Sequence, residues 1–118
     1  MDLIYLACPY SHKNPKVRQR RFRAVTGASL ELMKRGHLVF SPITHSHPIA
    51  TLKGNKFKSD FNAWKEFDFR MLSVCDSLYV LCLPGWTSSI GVQEEVKMAG
   101  KMGKVVELVF PSELGLTF

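Results

Sequence analysis

Ser77-Leu78-Tyr79-Val80-Leu81-Cys82-Leu83, ended by Pro84-Gly85-Trp86-Thr87-Ser88-Ser89, is the clearest strand signal in the chain. An apolar run of this length that stops at a Pro/Gly/Ser cluster reads as a buried β-strand running into a loop. Downstream, apolar residues at helical spacing continue to about Met102, Gly103 stops that helix, and Val105 to Phe110 reads as a further strand. Upstream, a helix is expected from Asp60 to Val74, after a Lys- and Gly-rich exposed loop from Thr51 to Ser59. His37-Leu38-Val39-Phe40 is expected as a strand that ends at Ser41-Pro42 and enters a polar loop, Thr44-His45-Ser46-His47-Pro48. Before it, Val17, Ala24, Val25, Ala28 and Leu32 recur at helical spacing between Pro15 and Arg35, and Leu3-Ile4-Tyr5-Leu6-Ala7 supplies a first strand that stops at Cys8-Pro9-Tyr10-Ser11.

Strands and helices therefore alternate along the whole chain. That order predicts an α/β fold, a doubly wound, Rossmann-like three-layer domain with a four- or five-stranded, mostly parallel sheet, over residues 1–118 as one domain. Ligands of such sheets bind beyond the carboxyl ends of the strands. Those ends are here Cys8 to His12, Ser41 to His47 and Pro84 to Ser89, the most polar, Ser- and His-rich loops in the chain.

A length of 118 residues with 46% hydrophobic and 22% charged residues is that of a packed globular protein. So short a chain buries only about two-thirds of its unfolded surface, and a homo-oligomer, dimer or tetramer, is expected. The net charge of +6 concentrates in Lys13, Lys16, Arg18, Arg20, Arg21 and Arg23 on one helix start with no interleaved aromatic platform. A plain basic helix of a cytosolic protein is the favoured reading; the pattern suits a phosphate-bearing small molecule as well as a polymer, and nucleic acid is not the expected partner. Cys8, Cys75 and Cys82 are odd in number and lack C-x-x-C spacing, so reduced thiols and a cytoplasmic location are expected, with no metal site and no cofactor. No apolar run approaches the ~20 residues of a membrane span, and the N-terminus does not read as a secretion signal.

Two carboxylates stand out against this framework. In the last helix Val92, Val96, Ala99 and Gly103 form the stripe expected to face the sheet; Glu94 lies nearly opposite it, and Glu95 only about 70° from it, one turn into the helix. Glu94 is expected in solvent and Glu95 at the edge of a pocket. In the preceding helix Phe61, Trp64, Asp68, Met71, Leu72 and Cys75 share one face, so Asp68 interrupts an apolar stripe. A lone buried charge costs several kcal/mol, so Asp68 is functional, caps a neighbouring backbone, or pairs with Arg70 or Arg21. Two carboxylates converging on a strand-end cleft suit glycosidic-bond cleavage, one acting on the anomeric carbon and the other on the leaving group's proton. The same pair could bind Mg²⁺ in a phosphatase, but the first strand does not end in the carboxylate cluster such an enzyme needs.

Ile4-Tyr5-Leu6-Ala7, Asp68 eight residues before Asp76, and Trp86-x-x-Ser89-x-Gly91-x-x-x-Glu95-x-x-x-Ala99 together resemble the nucleoside 2-deoxyribosyltransferase-like superfamily over residues 3 to about 109. Cys8 to His12 and Phe40 to Pro48 are closer to a bacterial and phage branch whose chemistry is unassigned. The resemblance implies that Glu95 attacks C1' and carries a covalent deoxyribosyl intermediate, that Asp68 assists through the sugar or the departing base, and that Tyr5 holds Glu95. It further implies N-glycosidase or deoxyribosyltransferase activity on a nucleoside or its 5'-monophosphate. Members that take free nucleosides carry Asp six residues before the nucleophile, whereas the monophosphate hydrolases resemble this chain in having Ser, here Ser89. A hydroxyl beside helix amides can cradle a phosphate that a carboxylate would repel. Ser88 shares that turn, and Ser89 also reads as a plain helix cap. The chain departs from those hydrolases after its first strand, where the glycines and arginine of their phosphate loop are missing; Arg21 on the next helix is the expected substitute, and Ser11 in that loop is a candidate substrate-binding residue. Gly91 belongs to the same motif. Trp86 is a candidate for stacking on a base or for packing on its own sheet, and His45 for facing ligand or scaffolding its loop. A non-catalytic nucleotide-binding module of the same fold, and a basic nucleic-acid-binding protein, are the competing functions.

Overall fold

Strand β1 (Leu3–Ala7) lies at the centre of a four-stranded sheet. The computed structural model describes residues 2–55 and 61–118. Its order is β1, helix α1 (Pro15–Lys34), β2 (Leu38–Phe40), α2 (Pro42–Ala50), α3 (Phe61–Val74), β3 (Ser77–Leu81), α4 (Ile90–Lys101) and β4 (Val105–Val109), with short 3₁₀ turns at Trp86–Ser88 and Pro111–Leu114. The strands line up as β2-β1-β3-β4, and every neighbouring pair is parallel. The expected Rossmann-like α/β architecture is present, with four strands.

Side chains of β1 and β3 alternate between two cores. Tyr5, Ala7, Leu78, Val80 and Cys82 face α3 and α4, meeting Leu72, Cys75, Val92 and Ala99. Leu6, Cys8, Leu81 and Leu83 face α1, meeting Val25, Ala28 and Leu32. Helices thus cover both faces, which is why the central strands read as unbroken apolar runs. All three cysteines are buried free thiols. Among the described residues no helix is long and apolar enough to cross a membrane.

The polar loop expected after β2 is instead helix α2. Ser41 is its N-cap, accepting from the Thr44 amide at 3.1 Å, and Pro42 occupies the first turn, where its missing N–H costs nothing. Pro48, which reads as a breaker, falls in the last turn. The helix start expected at Asp60 lies outside the described residues, as does the part of the Lys- and Gly-rich loop beyond Asn55. Between Phe40 and Ser77 the chain crosses from β2 on one side of β1 to β3 on the other, so the crevice between the carboxyl ends of β1 and β3 is the topological switch point.

Candidate active site

A cleft of about 430 Å³ opens at that switch point. Its walls come from the loop after β1 (Cys8 to His12), α2 (Ile43, Ser46), α3 (Asn62, Trp64, Asp68), the turn after β3 (Gly85, Ser88) and the start of α4 (Ser89 to Gly91, Glu95), with Arg21 reaching in from α1. Of the residues singled out in the sequence, Glu95, Asp68, Ser88, Ser89, Gly91, Ser11 and Arg21 meet here. His45 and Trp86 do not line it. The exposed His45 ring stacks on Phe67 at 5.0 Å and meets Trp64 edge-on at 6.0 Å, and half-buried Trp86 packs against the α3–α4 core.

Glu95 is 5% exposed and lies within the buried row Val92, Glu95, Ala99. The stripe is therefore rotated from the expected one: Val96 is half-buried, Gly103 is exposed, and Glu95 is inside the row instead of at its edge. Glu94 is half-buried, not fully solvated. What lets a carboxylate sit in this row is Tyr5, whose hydroxyl donates to Glu95 Oε2 from the middle of β1. Burial pushes the Glu95 carboxyl up to about 8; the Tyr5 hydrogen bond pulls it down and the negative charge of Asp68 pushes it up. Tyr5 itself is raised well above the usual phenol range by burial and by Glu95, so it remains a donor.

Asp68, also 5% exposed, presents an Oδ1 that has no hydrogen-bond partner among the described residues. Neither Arg70 nor Arg21 pairs with it, and burial raises it to about 7. A raised carboxyl whose Oδ1 lacks a partner among the described residues, lining a cleft, is a candidate functional group. Both acids are raised and line the same cleft, and an ionised Asp68 makes Glu95 harder to ionise.

Arg21 ties the cleft together. Its guanidinium donates to the carbonyls of Tyr10, Ser11 and Pro84 at 3.2 to 3.4 Å, joining the ends of β1 and β3. Gly85 has φ +92°, which favours glycine, and a Cβ there would also push on Arg21 Nη2 at 3.1 Å. Ser89 caps α4 by accepting from the Val92 amide at 3.2 Å, which leaves its O–H free to donate into the cleft.

The sequence reading did not single out Tyr10, His12 or Trp64 as site residues, though all three line the cleft. Trp64 stands one turn before Asp68, a spacing that would have pointed to it. Tyr10 is fixed by buried His47: its hydroxyl lies 2.5 Å from Nδ1, while Nε2 lies 2.7 Å from Gln19 Oε1 and Phe22 stacks on the ring at 4.3 Å. Burial and nearby Arg18 lower the His47 pKa, which keeps the ring neutral and able to accept from Tyr10.

A stability signature follows from the raised Glu95. Its carboxyl holds its proton more tightly folded than unfolded, so the stability it contributes is full below about pH 4.5 and is lost as pH rises through about 8. Glu95→Gln removes that loss and still offers Tyr5 an acceptor oxygen. The variant is expected to melt close to wild type near pH 5 and on the order of 5 °C higher near pH 8.5, as read by circular dichroism.

The fold recurs in the 2-deoxyribosyltransferase of the psychrotolerant bacterium Bacillus psychrosaccharolyticus, which is 23% identical over 92% of this chain and 72% of that one, with a TM-score of 0.62. At that identity the likeness establishes the fold, as the resemblance in the sequence implied. No curated protein matches the chain. The family model described as a domain of unknown function, DUF1937, matches residues 2–110, and the chain belongs to that family.

Proposed function

We propose that the cleft cleaves or exchanges the N-glycosidic bond of a nucleoside or nucleoside 5'-monophosphate, with Glu95 as nucleophile. The observation that carries this is that buried Glu95, held by Tyr5, lines the same cleft as buried Asp68, whose Oδ1 has no hydrogen-bond partner among the described residues. The reaction needs the pair's proton on Asp68 and the charge on Glu95. In the free cleft the order is the reverse, Glu95 at about 8 against Asp68 at about 7, and positive charge developing at C1' of the bound substrate, with the Tyr5 hydrogen bond, stabilises the Glu95 carboxylate. Glu95 attacks C1' as the C1'–N bond breaks, and Asp68 gives its proton to the departing base. Water, or a second base, then attacks C1' and releases Glu95, with Asp68 taking up a proton from the incoming nucleophile. The fold neighbour's deoxyribosyl transfer supports a glycosyl-transfer reading.

Ser88, Ser89 and Arg21 are the proposed holders of the 5' end, and Ser11 and Gly91 line the same space. A homo-oligomer and a cytoplasmic location remain part of the proposal. Incubating the protein with a panel of nucleosides and 5'-monophosphates, followed by chromatography for free base, tests it directly; no base released from any member would refute it. Within that panel, Ser89→Asp is expected to lower kcat/KM for a monophosphate about tenfold more than for the matching nucleoside, because a carboxylate there repels the phosphate. An unchanged ratio would move the phosphate away from Ser89.

A further inference from the structure

Helix α1 breaks an electrostatic rule at the end that meets the cleft. A helix N-terminus is partly positive, so acidic residues stabilise the first turn and cations oppose it. The first turn of α1 has no acidic residue, and the chain has none between Asp2 and Glu31. Lys13, Lys16, Arg18, Arg20, Arg21 and Arg23 crowd into this stretch instead. Among the described residues none of the six pairs with a carboxylate; the ion pair of this helix, Lys34 with Glu31, is at its other end. Such a local conflict marks a place where function has overridden stability.

The six do not share one direction. Arg20 and Arg23 border a separate groove beside Leu81, Leu83 and Leu116. Arg21 lines the cleft, and Arg18 donates to the carbonyl of His12, another cleft residue. Lys13 follows His12 directly, and Lys16 opens the helix; both are exposed. Arg21 and His12 line the cleft, Arg18 is bonded to His12, and Lys13 and Lys16 are exposed cations next to them in the chain. One phosphate on C5' is matched by Arg21 with Ser88 and Ser89, and the outer cations are then left without a counter-charge.

We infer that the substrate carries further phosphates beyond the first, as a nucleoside 5'-diphosphate or triphosphate, with Arg18, Lys13 and Lys16 facing the outer ones. This rests on the reading of the cleft as a nucleotide site. The outer phosphates supply the negative charge that the start of α1 lacks, so binding relieves the conflict as well as adding contacts.

The test is a series of dissociation constants, by calorimetry, for one nucleoside and its mono-, di- and triphosphate on Glu95→Gln protein, which binds without turnover. Affinity is expected to rise at each added phosphate, by roughly tenfold or more in all from mono- to triphosphate, and to fall with salt. In Lys13→Glu/Lys16→Glu protein that rise is expected to flatten, while Lys97→Glu, a charge reversal on exposed α4 surface, keeps it. The double variant places acids where a helix start favours them, so it is expected to fold at least as well. Equal affinity for mono- and triphosphate would overturn the inference. So would an equal effect of Lys97→Glu, or tighter binding to a short single strand than to the triphosphate. If the series holds but wild type releases no base, the catalytic reading fails and the polyphosphate site stands; if bases are released but the series is flat, the reverse is true.

Discussion

Glu95→Ala is expected to lower turnover by roughly a thousandfold or more, while Glu94→Ala stays within about threefold of wild type. The two side chains have the same chemistry and are neighbours in α4, so only their direction separates them. Glu95 lies in the buried row with Val92 and Ala99 and is gripped by Tyr5; Glu94 is half-buried and does not line the cleft. Truncating Glu95 to Ala also leaves a void and strips Tyr5 of its acceptor, so lost activity could come with lost stability. Glu95→Gln removes that ambiguity. It keeps the shape and an acceptor for Tyr5, it is expected to fold as well as or better than wild type at alkaline pH, and it is expected to be just as inactive because an amide does not attack C1'. Substantial turnover in either Glu95 variant would remove the nucleophile from the mechanism.

The second large effect is at Asp68. Asp68→Asn is expected to reduce kcat by about a hundredfold, the usual worth of a positioned general acid. The substitution suits its surroundings: Asp68 is buried, its Oδ1 lacks a partner among the described residues, and burial holds its carboxyl near neutrality already. A neutral amide of the same shape therefore leaves the fold intact. A structural role and a catalytic role separate on the choice of leaving group. A base that departs without needing a proton, such as one already carrying a positive charge, is expected to be cleaved by Asp68→Asn nearly as fast as by wild type. Equal losses on both kinds of base would mean that Asp68 shapes the cleft and does not supply the proton.

Much of this site could be read from the chain because the underlying physics is local. The apolar runs of β1 and β3 are unbroken because helices cover both faces of the sheet, and their Pro-, Gly- and Ser-rich ends mark the ligand side of any such fold. Asp68 was legible as a charge inside an apolar stripe, of which Asp68, Leu72 and Cys75 are buried and Trp64 and Met71 half-buried. Glu95 was legible only to within a rotation: ideal helical spacing treats Val96 and Gly103 as equals of Val92, whereas the sheet takes up Val92, Glu95 and Ala99. Helix α2 was missed because two prolines and two histidines in nine residues read as a loop, although Ser41-Pro42 is also a sound helix start. Tertiary contacts supplied what local sequence could not. Tyr10 is brought into the cleft wall by a buried histidine thirty-seven positions away, and Arg21 closes the switch point through backbone carbonyls, which leave no trace in side-chain patterning.

The claim on which the rest depends is that Glu95 becomes covalently bonded to the sugar. A 2-fluoro-2-deoxyribosyl substrate slows departure of that intermediate, since the fluorine destabilises positive charge at C1' in the step that releases it. After incubation with wild-type protein, digestion and mass spectrometry of the α4 peptide are expected to find the added fluorosugar mass, with fragmentation assigning it to Glu95 and none to Glu94. Fluorosugar on Glu94 or Asp68, or base release from this substrate with no mass ever retained on the protein, would contradict it.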